Sequence, residues 1–167
     1  MNREELGNLT PFHLYVLLHL KRAGVDYVKM MAKMTGLDQD LLQDAVDDLM
    51  EMGIVERDSG SAIKRSRARF KKAFEVHKHH TYYRLSREGQ LLVRDIDTEW
   101  VRRYFDTLLG PGAFELLSCL SGRCELSRCK ARIDERKRGD LVLYRLMTPS
   151  GRRTKFLGVL LQFLPRR

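Results

Sequence analysis

The run YVKMMAKMTGLDQDLLQDAVDDLMEMGIVER, from Tyr27 to Arg57, constrains this chain more than any other stretch. Val28, Met31 and Ala32 recur at helical spacing, so a helix from about Tyr27 to Met34 turns one apolar face inward. Thr35-Gly36-Leu37 breaks it, and Asp38 stands where a helix N-cap belongs. Leu42, Ala45, Val46, Leu49 and Met52 then repeat the three- and four-residue spacing until Gly53 stops the second helix. Ile54-Val55-Glu56-Arg57 reads as a strand.

Flanking signals complete a domain. Asn8 or Thr10 can cap a helix with Pro11 near its first turn. Phe12, Val16 and Leu20, flanked by Leu14, Leu17 and Leu18, give that helix a broad apolar stripe, and Gly24 ends it. After Arg57, Asp58-Ser59-Gly60 reads as a turn and Thr81 to Leu85 as a returning strand. Ser86-Arg87-Glu88-Gly89 closes that strand, and Gln90 to Ile96 resumes a helical pattern. The predicted order is helix, helix-turn-helix, strand, long basic insert, strand, helix.

This order, with Ala32 in the second helix, Gly36 in the turn and Leu49, Gly53, Ile54 and Val55 at the exit, resembles the winged-helix regulators of archaea and bacteria. The closure Tyr82 to Gly89, YYRLSREG, is a second match, and with HKHHTYY it is also similar to an archaeal winged-helix family without an assigned function. The resemblance covers about half the chain and implies a fold; that fold serves DNA, RNA and protein binding alike. The expected class is α+β, mainly α: a winged helix-turn-helix with a long basic wing, then a C-terminal helix and a small α+β appendage. Boundaries fall at 1–96, 97–110 and 111–167.

Charge separates the possible partners. The formal net charge is +9 over 167 residues, with hydrophobic residues at 43%. Such a chain can bury a core, and its basic surplus suits an anionic partner such as nucleic acid or a membrane surface. Residues 1–53 carry five Lys/Arg against nine Asp/Glu, whereas residues 54–94 carry eleven against four. In a DNA-binding helix-turn-helix the second helix enters the major groove. Here its outer face holds Gln39, Asp40, Gln43, Asp44 and Asp47, and Asp38 to Glu51 contains six acids and no base. Phosphates would repel that face.

The basic charge lies instead in the insert, IKRSRARFKKAFEVHKHH. Lys64, Arg65, Arg67, Arg69, Lys71, Lys72 and Lys78, joined by His79 and Arg84, are the expected nucleic-acid contacts. Phe70, Phe74, Tyr82 and Tyr83 interleave with them and can stack on bases. Arg65, Arg67 and Arg69 alternate, so on extended backbone they share one face. A solvated hairpin with Phe70 and Phe74 packed on the domain is the competing reading. DNA is favoured over RNA. The alternatives are a protein-interaction module of a transcription or translation complex that uses the acidic third helix, or an RNA- or ribosome-binding protein.

Other chemistry is expected to be absent. Cys119, Cys124 and Cys129 are spaced C-x₄-C-x₄-C without a matched ligand pair, so no metal is predicted. No phosphate loop, nucleotide fingerprint or nucleophile elbow appears, so neither cofactor nor enzyme activity is expected. MNREELGNL lacks an apolar signal region and Phe156 to Leu164 is too short to span a bilayer, which predicts a cytoplasmic chain without membrane contact. Trp100, Val101, Tyr104, Phe105 and Leu108 form an apolar stripe on a helix continuing from Gln90. Trp100, Tyr104, Phe105 and Leu108 could join two copies as a homodimer, or pack on residues 113–167. In the appendage, Ala113 to Leu120 reads as a helix. Leu141 to Met147 and Phe156 to Leu164 read as strands about a Pro149-Ser150-Gly151 turn. Arg136-Lys137-Arg138 and Arg152-Arg153-Lys155 add basic loops.

Overall fold

In a computed structural model, the structure describes residues 9–59, 80–120 and 133–164. The protein is α+β, mainly α, with a small three-stranded antiparallel sheet. Close contacts divide it into His13–Arg94 and a second unit made of Met1–Phe12 and Asp95–Arg167.

In the first unit, α1 (Pro11–Ala23) opens on proline, whose missing N–H costs nothing there. Leu14 through Leu18 and Leu20 are buried on successive faces, so this helix forms the centre of the core. The backbone then runs through β1 (Val25–Asp26), α2 (Val28–Thr35), α3 (Gln39–Glu51), β2 (Val55–Arg57), β3 (Tyr83–Leu85) and α4 (Arg87–Arg94). Strand order is β1-β3-β2. Val25 pairs with Arg84 and Asp26 with Tyr83, while Val55, Glu56 and Arg57 pair with Leu85, Arg84 and Tyr83. β1 was not expected: two residues have no period to read, and their conformation follows from pairing with β3.

Between α2 and α3, Gly36 takes a left-handed φ of 75° and donates to the Ala32 carbonyl, which ends α2. Thr35 Oγ1 donates to the Met31 carbonyl at 2.8 Å and accepts from Leu37 N at 3.2 Å, fixing the turn. Asp38 occupies the α3 N-cap position without a side-chain capping bond. Leu42, Ala45, Val46 and Leu49 are buried as their spacing predicts. Met52, expected inward, is 41% exposed, because the helix has ended at Glu51.

In the second unit, α5 (Thr98–Leu109) packs on α6 (Ala113–Ser118) and α7 (Glu135–Leu143); α8 (Lys155–Phe163) follows. α5 does not continue from α4, contrary to expectation. Asp97 Oδ1 accepts from Trp100 N at 2.7 Å and starts a separate helix. Of the two expected strands of the appendage, Phe156 to Leu164 is almost wholly helical, and Leu141 to Met147 is the end of α7 followed by a turn that leads to Met147. Asp134 caps α7 by accepting from Lys137 N, and Thr154 caps α8 by accepting from Leu157 N. Phe156, Leu157 and Leu160 then face inward at helical spacing. The expected turn survives as a connection, closed by a single bridge between Met147 and Arg153.

Buried phenols tie these units to pH. Tyr15 is fully buried and its hydroxyl meets His19 Nδ1 at 3.1 Å; burial first, and the Asp26 charge second, push its ionisation upward. Tyr104 donates to the Leu9 carbonyl at 2.6 Å and is raised too, by burial and then by Tyr144. Unfolded tyrosine ionises near pH ~10. Folded pKa values above that mean the stabilisation is complete below pH ~10 and is lost as pH rises toward the folded values. Stability should therefore fall above pH ~10, by up to about 1.4 kcal/mol per pH unit per tyrosine, and the thermal midpoint should fall with it. Tyr15→Phe should flatten that limb in a melting series, and an unchanged slope would rule Tyr15 out as its source.

Candidate nucleic-acid interface

The α3 face turned to solvent is acidic. Gln39, Asp40, Asp44, Asp47, Asp48 and Glu51 are exposed. Gln43 is held: its Nε2 donates to Asp47 Oδ1 at 2.9 Å and to the Tyr83 hydroxyl at 3.1 Å. His13 Nε2 meets Asp48 Oδ2 at 3.0 Å. A duplex presents a phosphate charge about every 1.7 Å of its axis, so this face would gain little by entering a groove.

Arg84 lies at mid-strand on β3. Its Nε and Nη2 both reach Glu56 Oε1 at 2.7 Å, and Nη1 lies 3.7 Å from Asp58 Oδ1. Of the expected contacts it is therefore already committed to two carboxylates. At the base of the insert, the Tyr27 ring stacks on His80 with centroids 4.4 Å apart, and Tyr82 meets Tyr27 edge-on at 5.2 Å. Lys64, Arg65, Arg67, Arg69, Lys71, Lys72, Lys78 and His79 lie outside the described residues.

The α5 stripe is used within its own chain. Trp100, Tyr104 and Phe105 are buried and Leu108 is half-buried. Trp100 stacks on Tyr104 at 5.3 Å, and Tyr104 meets Phe105 edge-on at 5.0 Å. Two of the basic side chains beyond it also serve the fold: Lys137 Nζ donates to the Pro111 carbonyl and Arg138 Nη2 to the Pro149 carbonyl. Among the described residues no group of three or more His, Cys, Asp or Glu is arranged to hold a metal. No described helix is long and apolar enough to cross a membrane.

One polar network was not anticipated. His19, 2% exposed on the apolar body of α1, meets the Tyr15 hydroxyl at Nδ1 and Asp26 Oδ2 at 2.7 Å through Nε2. Asp26 Oδ1 accepts from Tyr27 N at 2.8 Å, so the network fastens β1 to α1. Its only sequence signal was the four-residue spacing of Tyr15 and His19, which says nothing of Asp26.

Helices beside a small three-stranded antiparallel sheet make the first unit α+β, mainly α. The chain belongs to the family described as "Uncharacterized protein conserved in archaea (DUF2250)", which residues 5–96 match. Comparison with curated proteins and with solved structures gives no match.

Proposed function

We propose that residues 10–96 are a winged helix-turn-helix domain and that the protein is a DNA-binding transcriptional regulator gripping phosphates through its basic insert. One observation carries this reading. β2 and β3 are antiparallel neighbours with Arg57 opposite Tyr83, so the chain between them leaves and returns at one end of the sheet. That intervening stretch holds Lys64, Arg65, Arg67, Arg69, Lys71, Lys72 and Lys78 against Glu75 as its one acid after Asp58. The β1-β3-β2 order supports a wing at this place. Affinity would come from phosphate contacts, and sequence preference from groove shape rather than from α3.

The exposed acids of α3 favour a second reading, in which this helix docks on a basic protein partner. A salt titration separates the two. Binding to duplex DNA, structured RNA and single strands is measured at several ionic strengths, for wild type and for Arg65→Ala, Arg67→Ala, Arg69→Ala combined. The regulator reading expects duplex preference and a salt slope lowered by roughly 2.7 in the triple variant, about 0.9 per lost contact. Preference for structured RNA would transfer the function to RNA. Absence of affinity for any nucleic acid at low salt would sink both and leave the protein module.

A further inference from the structure

Where α1 ends, the chain turns through Gly24 into β1, and the end of α4 lies beside it. An open cavity of about 460 Å³ lies between these segments and β3. Its size falls within the roughly 300–1,000 Å³ of small-molecule sites. Leu85 and Val93, both buried, and Val25 give it apolar walls, while Lys21, Arg84 and Arg94 also line it; among the described residues no acidic side chain lines it. We propose that this cavity binds a small organic carboxylate with an apolar body, held by Lys21, Arg84 and Arg94. This inference does not rest on the nucleic-acid reading.

The cations are held in place. Lys21 Nζ donates to the Val93 carbonyl at 2.7 Å, which fixes the ammonium at the rim and leaves it two further protons to offer. Val25, Arg84 and Glu56 lie opposite one another across three strands, so they share one face of the sheet. Glu56 grips Arg84 through Nε and Nη2, which aims the guanidinium, while Nη1 lies 3.7 Å from Asp58 Oδ1, beyond hydrogen-bond reach, and keeps its protons to donate. Lys21 and Arg94 occupy the last turns of α1 and α4. There the roughly half a negative charge of each helix end steadies a cation, so the cluster persists without a ligand. With Glu56 and Asp58 both set against Arg84, the site suits one negative charge better than two. The apolar walls then demand a hydrocarbon body on that charge.

The probes are 1-naphthoate, its neutral counterpart 1-naphthalenemethanol, and inorganic phosphate, titrated into the isotopically labelled full chain. Naphthoate should shift the backbone amides of Gly24, Val25, Leu85 and Val93 and raise the melting temperature. The alcohol and phosphate should each bind at least about tenfold more weakly. Lys21→Met and, separately, Arg94→Gln should each weaken naphthoate roughly ten- to a hundredfold, the worth of one charge-assisted bond. Arg94→Gln keeps the test informative if Lys21→Met unfolds the α4 end. Equal binding of acid and alcohol would overturn the proposal, reducing the cavity to an apolar crevice. Phosphate binding as tightly as naphthoate would overturn it also, and so would naphthoate leaving those four amides unmoved.

Discussion

Gly89→Ala is expected to destabilise the His13–Arg94 unit by about 3 kcal/mol or more, at the upper end of overpacking effects. A Cβ at position 89 would stand 2.1 Å from the Ile54 carbonyl oxygen and 3.1 Å from its carbon. That oxygen cannot simply withdraw, because it accepts from Ser86 N at 2.9 Å. Ser86 Oγ, in turn, donates to the Gly53 carbonyl at 2.7 Å and accepts from Gly89 N at 3.0 Å. The start of α4 is thus bolted to the α3–β2 exit by one serine, and Gly89 is what allows the two backbones to meet. Helix propensity argues the other way, since alanine exceeds glycine by about 1 kcal/mol inside a helix. A backbone clash outweighs that gain. Denaturant unfolding decides between them: a variant as stable as wild type, or more so, would mean the helix relocates freely and the contact is not what fixes it. Ser86→Ala should cost less, about 0.5–2 kcal/mol, as the loss of a cap.

The same residues show how the sequence could be read here. Ser86 and Gly89 stood out within the Ser86-Arg87-Glu88-Gly89 run that ends the returning strand, because such a run between a strand and an apolar helical pattern is a local signal. Their partner carbonyls at Gly53 and Ile54 are more than thirty residues away and carry no local mark. α2 and α3 were legible because their apolar spacing and closing glycines agree. β1 was not, since its extended form is imposed by β3. In the second unit, Leu141 to Met147 and Phe156 to Leu164 are short apolar runs, and periodicity cannot assign such runs to helix or strand. The capping residues Asp134 and Thr154 held the answer. The acidic face of α3 was fully visible in the sequence. The Lys21, Arg84 and Arg94 cluster was invisible, because strand pairing and the packing of α1 with α4 assemble it from distant segments.

Amphipathicity left one question open on α5: it marks a face for burial without saying what covers it. Phe105→Ala answers it. Phe105 is fully buried and meets Tyr104 edge-on, and the Tyr104 hydroxyl reaches the Leu9 carbonyl, so this stripe closes the core of its own unit. Truncating a buried phenylalanine removes its transfer energy and leaves a cavity, a loss of about 3–5 kcal/mol. Because the lost contacts lie within one chain, the loss should stay constant over a roughly hundredfold range of protein concentration. A seam between two copies behaves differently: wild-type melting would rise with concentration, and the variant would lose that dependence while becoming monomeric. Melting curves across a dilution series, with sedimentation of both proteins, distinguish the cases. Concentration-dependent melting abolished by Phe105→Ala would return the stripe to a dimer interface. A uniform loss at every concentration assigns Phe105 to the core of its own chain.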